Sequence, residues 1–239
     1  AEAKERNLNV IHLSTQQLVA AFPLQDTGNQ PVRDLKGTAD GREMYSAASY
    51  CKDHSCFIRH YIFPDNLYED MSLSRERNIP DMEITKGESK LVAGNICYGS
   101  CGGYIDVMDR RTKEVTAIPT SMAAQHLTYD EATQTLWSIC LKPGIDDSAY
   151  YCEPYTQNQD RIDVVDMNTM ERIASIPVAV TFGFPSLSQS GEFFYAVNNM
   201  QDVIVAINTK NYNISAISVG DNPRGIYLQG DNRVKEAIL

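Results

Sequence analysis

Six cysteines are the residues of this 239-residue chain whose type and spacing first suggest chemistry. Cysteine thiolates bind zinc, exchange disulfides in redox reactions, or are joined as structural bridges. The six form three pairs that are local in sequence and lie in polar stretches: Cys51 and Cys56, Cys97 and Cys101, Cys140 and Cys152. The spacing within each pair has to decide between these chemistries.

Structural disulfides fit this spacing better than zinc or redox chemistry. A Cys-x3-Cys or Cys-x4-Cys pair is a weaker zinc signature than Cys-x2-Cys, and four thiolates would have to converge from separate segments. Redox activity needs a lowered thiol pKa, but the Tyr-Gly-Ser stretch between Cys97 and Cys101 supplies no cation. Loops this short let two Cα atoms approach within about 7 Å. The sequence predicts three bridges, 51–56, 97–101 and 140–152, and no metal ion.

The net charge and hydropathy of the chain limit the classes of partner and the cellular compartments that fit the sequence. The net charge of -10 argues against a nucleic-acid partner, since phosphate binding needs clustered Lys and Arg. The sequence contains no run of 18 apolar residues, so it predicts no insertion into a membrane. The first residues, AEAKERNLNV, lack the apolar segment of a signal peptide, so an exported protein would already have lost it. Together with the even cysteine count, this predicts a periplasmic, extracellular or cell-surface protein.

The segment from Cys140 to Asp160, CLKPGIDDSAYYCEPYTQNQD, is a candidate binding loop. Tyrosines offer rigid amphipathic contact area, and loops on a stiff scaffold commonly carry binding. The candidate contact residues are Asp146, Asp147, Tyr150, Tyr151 and Tyr155. The alternatives are a solvated loop without a ligand and, because the acidic pair lacks EF-hand spacing, less readily a calcium site.

A second candidate site consists of polar residues at or near the starts of predicted first strands. These residues are Arg33, Asp81, His126 and Arg224. They could form an axial funnel that binds an anion or a small ligand, or only the polar lining of a wet channel. The chain has no Gly-x-Ser-x-Gly elbow, phosphate loop or dinucleotide fingerprint, so the sequence predicts no catalytic residue and no cofactor.

The elements that position these residues form a repeat. The segment DRIDVVDMNTMERIASIPV (Asp160 to Val178) alternates like a strand, turns at a polar pair and alternates again, which predicts a hairpin. Copies begin at Gly103, Asp202 and Leu8, with a weaker one at Cys56. Their anchor positions recur about every 48 residues, at His12, Tyr61, Asp109, Asp166 and Ile207.

Between the hairpins lies a second shared pattern, clearest in GFPSLSQSGEFFYAVNN (Gly183 to Asn199): a short strand, a polar turn and an apolar strand. Four short strands per repeat predict an all-β chain and one β-propeller domain over 1–239. Residues of about 7–25 and 223–239 would form one composite blade, closing a five-bladed propeller by pairing the terminal strands. The alternative is a propeller with more blades, of which this chain is a part.

From Gly103 to Leu228 the repeat resembles the YVTN-type propeller repeat family. The resemblance rests on the apolar-apolar-Asp stretch, the Thr turn, the Ser-x-x-Gly turn and the loop GDNPRGIYL. It implies the blade architecture and leaves the function open, because similar blades occur in periplasmic binding proteins, surface-layer proteins, lactonase-like enzymes and amine dehydrogenase large subunits. The three cysteine pairs would then occupy the loops between second and third strands, all on one face.

These observations favour an exported binding module that presents disulfide-stapled loops to a protein partner or a small ligand. Stiff loops lose less entropy on binding. One rival is a lactonase-like enzyme or an amine-dehydrogenase-like subunit that uses the axial funnel, and another is a structural component of an extracellular assembly.

Overall fold

The computed structural model describes residues 7–12, 14–23, 32–48, 57–63, 65, 67–73, 79–85, 87–95, 103–141, 160–178, 185–229 and 233–238. These residues form strands, turns and extended segments, and none of them is helical. A helix long and apolar enough to cross a membrane is accordingly absent from this part of the chain.

Four antiparallel sheets of four consecutive strands make up most of the molecule, and we call them blades 1 to 4. Two strands precede them, β1 (Asn7–His12) and β2 (Gln17–Pro23). Blade 1 contains β3 (Val32–Gly37), β4 (Glu43–Ala48), β5 (Phe57–Ile62) and β6 (Leu67–Ser72). Blade 2 contains β7 (Met82–Ile84), β8 (Lys90–Asn95), β9 (Gly103–Asp109) and β10 (Val115–Thr120).

The second half of the chain repeats this order. Blade 3 contains β11 (Ala123–Asp130), β12 (Thr135–Leu141), β13 (Arg161–Asp166) and β14 (Glu171–Pro177). Blade 4 contains β15 (Ser186–Leu187), β16 (Phe193–Asn198), β17 (Val203–Asn208) and β18 (Ile214–Ser218). The last two strands are β19 (Gly225–Gln229) and β20 (Arg233–Ile238).

The first strands of successive blades contact one another in the order β3, β7, β11, β15, β19, so they are the inner strands of a propeller-like array. The predicted all-β fold with four strands per repeat is confirmed. The predicted closure is not formed among the described residues, because β1–β2 and β19–β20 remain two separate two-stranded sheets.

The third strands of blades 2, 3 and 4 end in a turn that explains the sequence repeat. The side-chain oxygen of Asp166 accepts the N–H groups two and three residues later, at 2.7 and 3.3 Å, and Asp109 and Asn208 do the same. Strand register makes Asn208, rather than Ile207, the counterpart of Asp166, and likewise Ile62 rather than Tyr61. Asparagine replaces aspartate in blade 4 because both side chains can close this turn.

The hydrophobic core lies between the blades. The second and third strands of each blade are largely apolar and buried, and their side chains form one cluster per junction. Trp137 and Phe194 stack at 5.0 Å across the junction of blades 3 and 4, and Tyr45 and Met108 belong to the cluster between blades 1 and 2. Aromatic stacking of this kind adds stability beyond the buried area.

Polar side chains also cross the junctions. The fully buried carboxylate of Asp163 in blade 3 accepts the N–H and the hydroxyl of Ser121, in the link from blade 2, at 2.6 and 2.9 Å. In blade 2, Arg110 reaches back to blade 1, donating to Tyr45 Oη at 2.8 Å and to Glu43 at 2.6 Å. Burial favours a higher pKa for Glu43, but hydrogen bonds from Tyr45 and Arg110 outweigh it and lower the pKa to about 2.

We expect Gly103→Ala to destabilise the junction of blades 2 and 3. A Cβ at Gly103 would stand 1.8 Å from the carbonyl oxygen of Met122, so the backbone would have to move, at a cost of about 1–3 kcal/mol or more. Urea unfolding would measure this as a lower midpoint. Gly37→Ala is the matched control, because its nearest backbone neighbour would be 3.7 Å away, and its midpoint should stay close to the wild-type value. Equal midpoints for the two variants would contradict the close approach.

Candidate functional site

Three side chains from successive inner strands meet at one end of the array. Asp34 lies on β3, Asp81 immediately precedes β7, and His126 lies on β11. Their side chains are 16 to 20 per cent exposed. Because Asp34 pairs with Ala47 near the end of β4, this end of the inner strands faces the loops between second and third strands. We call this end of the molecule the loop face.

Backbone hydrogen bonds hold the two carboxylates in place. The N–H of Met82 donates both to Asp34 Oδ2 and to Asp81 Oδ1, each at 2.9 Å. The N–H of Leu127 donates to Asp81 Oδ2 at 2.8 Å. The inner edge of a first strand faces the axis and has no further strand to pair with, so its N–H groups need acceptors from elsewhere. The preceding blade supplies the carboxylate in both cases.

Bulges in the first strands aim these side chains. The register shifts between Val32 and Asp34 in blade 1 and between Ala124 and His126 in blade 3, leaving one extra residue at the same place in each strand. A bulge bends its strand and redirects the side chains beside it. The repeat pattern does not reveal these bulges, because the spacing between the hairpins already varies by more than the one residue that a bulge adds.

The cluster carries charge that burial perturbs. His126 Nδ1 lies 3.9 Å from Asp81 Oδ2, and Lys36 Nζ lies 3.4 Å from Glu83 and 3.8 Å from Asp34. Burial, together with the adjacent Asp34 carboxyl, raises the pKa of Asp81 to about 7, although the Leu127 N–H bond opposes this. Burial also lowers the pKa of His126 and raises that of Glu83.

At neutral pH this arrangement offers both a proton donor and proton acceptors. With its pKa near 7, Asp81 exists in both protonation states there, and the lowered pKa of His126 favours the neutral imidazole. Such a group can exchange hydrogen bonds or a proton with a ligand. Over the described ranges, His, Cys, Asp and Glu side chains do not gather in a group of three that could hold a metal ion.

Two of the four predicted funnel residues, Asp81 and His126, come together. Arg224 is exposed in the turn before β19, and among the described residues it makes no hydrogen bond or ion pair with the cluster. Arg33 is the bulged residue of β3, and its side chain lies outside the described residues, as does the whole predicted loop site, namely Asp146, Asp147, Tyr150, Tyr151 and Tyr155.

Sequence reasoning missed Asp34, Lys36 and Glu83. A signal was present: aligning VRDLKG of blade 1 with PDMEI of blade 2 places Asp34 beside Asp81 and Lys36 beside Glu83. The alignment was hidden because Arg33, the bulged residue, is an extra residue within its strand. The equivalence shows that the carboxylate is a feature of two consecutive blades.

Only Cys140 among the six cysteines lies within the described residues. It was predicted to begin a loop, but it is inside β12, pairs with Ala124 and Arg161, and has a free, buried thiol. Burial, aided by the nearby Asp163 charge, raises the pKa of this thiol to about 12. The structure thus gives no support to the 140–152 bridge. Bridges 51–56 and 97–101 lie outside the described residues and stay predictions.

We expect Asp81→Asn to remove a pH dependence of stability. The raised pKa of Asp81 means that the folded state holds its proton above the pH at which the unfolded chain has released it. The wild type should therefore lose stability relative to the variant as pH rises from about 4 through about 7, by a few kcal/mol at about 1.4 kcal/mol per unit. Urea unfolding across this range measures the difference.

The asparagine keeps an oxygen that can accept the Leu127 N–H, and the Met82 N–H keeps Asp34 as its acceptor. The acceptor that the variant loses changes stability equally at every pH, so the pH-dependent part of the difference reports the proton. Asp221→Asn, at an exposed turn position, is the control and should parallel the wild type. A constant difference between wild type and Asp81→Asn at all pH values would refute the raised pKa.

Comparisons with known proteins show the fold and no family. No family model matches the chain, and no curated protein does. Among solved structures, the chain is similar to the hydrazine synthase of Kuenenia stuttgartiensis, with a TM-score of 0.70 and 12% identity, over 92% of this chain and 64% of that one. It is also similar to a functionally unknown protein from Desulfotomaculum acetoxidans, with a TM-score of 0.61 and 13% identity, over 97% of this chain and 69% of that one. The chain thus spans less than two thirds of the first of these structures, and both likenesses support a propeller-like all-β fold.

Proposed function

We propose that the chain is an exported binding module that engages a protein partner or a small ligand on its loop face. One observation carries this proposal: the Asp34–Asp81–His126 cluster lies at that face, at the inner ends of three blades, partly buried and with a titrating proton. Perturbed ionisable groups that converge in a partly buried place are typical of binding sites.

The cluster fits the centre of an interface. The carboxyls of Asp34 and Asp81 accept backbone N–H groups, so their positions are fixed before a partner arrives. Pre-ordered polar groups lose little entropy on binding. The loop with Tyr150, Tyr151 and Tyr155 belongs to the same face in this proposal, where it would add aromatic contacts around the cluster.

The proposal includes a finer architecture. We place β19–β20 and β1–β2 in one composite blade of a five-bladed propeller with YVTN-type repeats. The contact of β15 with β19 supports this, because it continues the series of inner strands beyond blade 4. Pairing β20 with β1 would protect two strand edges that otherwise invite association.

Thiol counting tests the exported state. With bridges 51–56 and 97–101 formed and Cys140 free, the denatured, unreduced protein should expose two thiols, those of Cys140 and Cys152. Titration with a thiol reagent before and after reduction gives the number. A count of zero reactive thiols would support the 140–152 bridge. A count of six would refute the disulfides and the oxidising compartment with them.

Capture from the native source tests the loop face. We expect a partner that binds immobilised wild-type protein to be lost from a variant whose residues 142–151 are replaced by a short Gly/Ser turn, and weakened at least tenfold by His126→Ala. Arg111→Ala, in an exposed turn between β9 and β10, is the control and should keep the partner. An identical set of captured proteins for all four baits would contradict the proposal.

A lactonase-like enzyme is the second candidate, and the raised pKa of Asp81 favours it. A carboxyl with a pKa near 7 is suited to general acid–base catalysis at neutral pH. The two functions differ in a direct way: turnover of lactone substrates that disappears in Asp81→Asn would favour the enzyme. Stoichiometric binding without turnover favours the binding module.

A further inference from the structure

We call the face opposite the loop face the turn face. On this face, the residue directly after the third strand lies at the junction with the preceding blade in blades 2, 3 and 4. A shared hydrogen bond identifies it: the N–H groups of Arg110, Met167 and Thr209 donate to the carbonyl oxygens of Ser89, Gln134 and Glu192, each at 2.9 Å. These three residues therefore occupy equivalent places in blades 2, 3 and 4.

At two of the three junctions this residue packs against the preceding blade. Between blades 1 and 2, the guanidinium of Arg110 lies over the Tyr45 ring, 5.3 Å from its centre. Between blades 2 and 3, Met167 is 2% exposed and belongs to the core cluster. Between blades 3 and 4 the residue is the short, half-buried Thr209, and a cavity of about 310 Å³ remains there. This volume is at the lower end of the range of small-molecule sites.

Hydroxyl groups line one wall of the cavity, and their protons are already used. Thr133 Oγ1 donates to Asp130 Oδ2 at 2.7 Å, so Thr135 Oγ1, 2.7 Å away, donates to Thr133 in turn. Trp137 Nε1 donates to Thr135 Oγ1 at 3.1 Å. A hydroxyl has one proton and two lone pairs. This wall consequently has no hydroxyl proton left for a ligand.

The opposite wall contains one more threonine of this kind, beside Ser190, Lys210 and Tyr212, which carry O–H or N–H groups. Thr209 Oγ1 donates to the carbonyl oxygen of Gly191 at 2.7 Å, which again uses its proton. Glu192 and Lys210 also line the cavity with opposite charges, and the chain as a whole carries a net charge of -10. Tyr212 and Trp137 add aromatic rings, whose faces attract cations.

From this hydrogen-bond inventory we infer that the cavity between blades 3 and 4 binds a small organic cation with N–H donors, of the primary ammonium class. The three threonine hydroxyls offer lone pairs and no protons, so a ligand that binds them has to bring the donors. The aromatic rings and the acidic net charge favour a positive ligand over a neutral one. This site is independent of the loop face and of the function proposed there.

Trp137 is the single tryptophan of the chain and lines the cavity, so its fluorescence reports occupancy. Titration with n-butylammonium should change the emission saturably. Two probes separate the causes: butyltrimethylammonium keeps the charge without N–H donors, and butyrate reverses the charge. We expect each to bind at least tenfold more weakly than n-butylammonium. Equal binding of butyrate, or no saturable response to n-butylammonium, would overturn the inference.

Thr209→Met tests the location, since methionine is the side chain that is buried at the equivalent position between blades 2 and 3. We expect it to weaken n-butylammonium binding at least tenfold. Thr112→Met, at an exposed position in the corresponding turn of blade 2, is the matched control and should bind like the wild type. Thr135→Val, which removes one acceptor without filling the cavity, should weaken binding severalfold. Wild-type affinity in both cavity variants would refute the site.

Discussion

Each blade pairs its strands only within its own sheet, so the described hydrogen bonds between blades each involve at least one side chain. No ladder of backbone hydrogen bonds crosses a junction in the described chain. The apolar faces of neighbouring sheets supply most of the cohesion, as three clusters of buried residues. A few polar links orient one blade relative to the next, and the hydrogen bond between Ser121 and the buried carboxylate of Asp163 is one of them. The rest of the structure depends on this requirement that contacts involving side chains join sheets that share no strand pairing.

The candidate site is a product of the same requirement. Asp34 and Asp81 satisfy N–H groups on the inner edge of the next blade, which is a structural task. That task draws the two carboxyls together in a partly buried place, where burial and the adjacent Asp34 carboxyl raise the pKa of Asp81. A residue placed for packing thus acquires the chemistry of a binding group. Local rules are commonly broken in this way at functional positions.

The repeat could be predicted from the sequence because hairpins leave a clear alternation and a polar turn in each blade. Other features depend on how side chains fill space and on strand register, which cannot be read from a single amino-acid sequence. The bulge before Asp34 hid its equivalence to Asp81, and Cys140 looked like a loop residue although its strand continues past it. The cavity between blades 3 and 4 was missed because it arises from a side chain that is shorter than its counterparts, and no motif marks a missing volume.

The buried thiol of Cys140 allows transient opening of the junction of blades 2 and 3 to be followed by thiol modification. It lies among Val92, Leu136 and Val165, shielded from solvent and held protonated by its raised pKa. An alkylating reagent reacts with thiolate that it can reach, so modification of Cys140 has to wait until the two blades separate. Its rate therefore follows the opening of one junction rather than the unfolding of the whole chain. The alkylation rate of Cys140 therefore measures how often the junction of blades 2 and 3 opens.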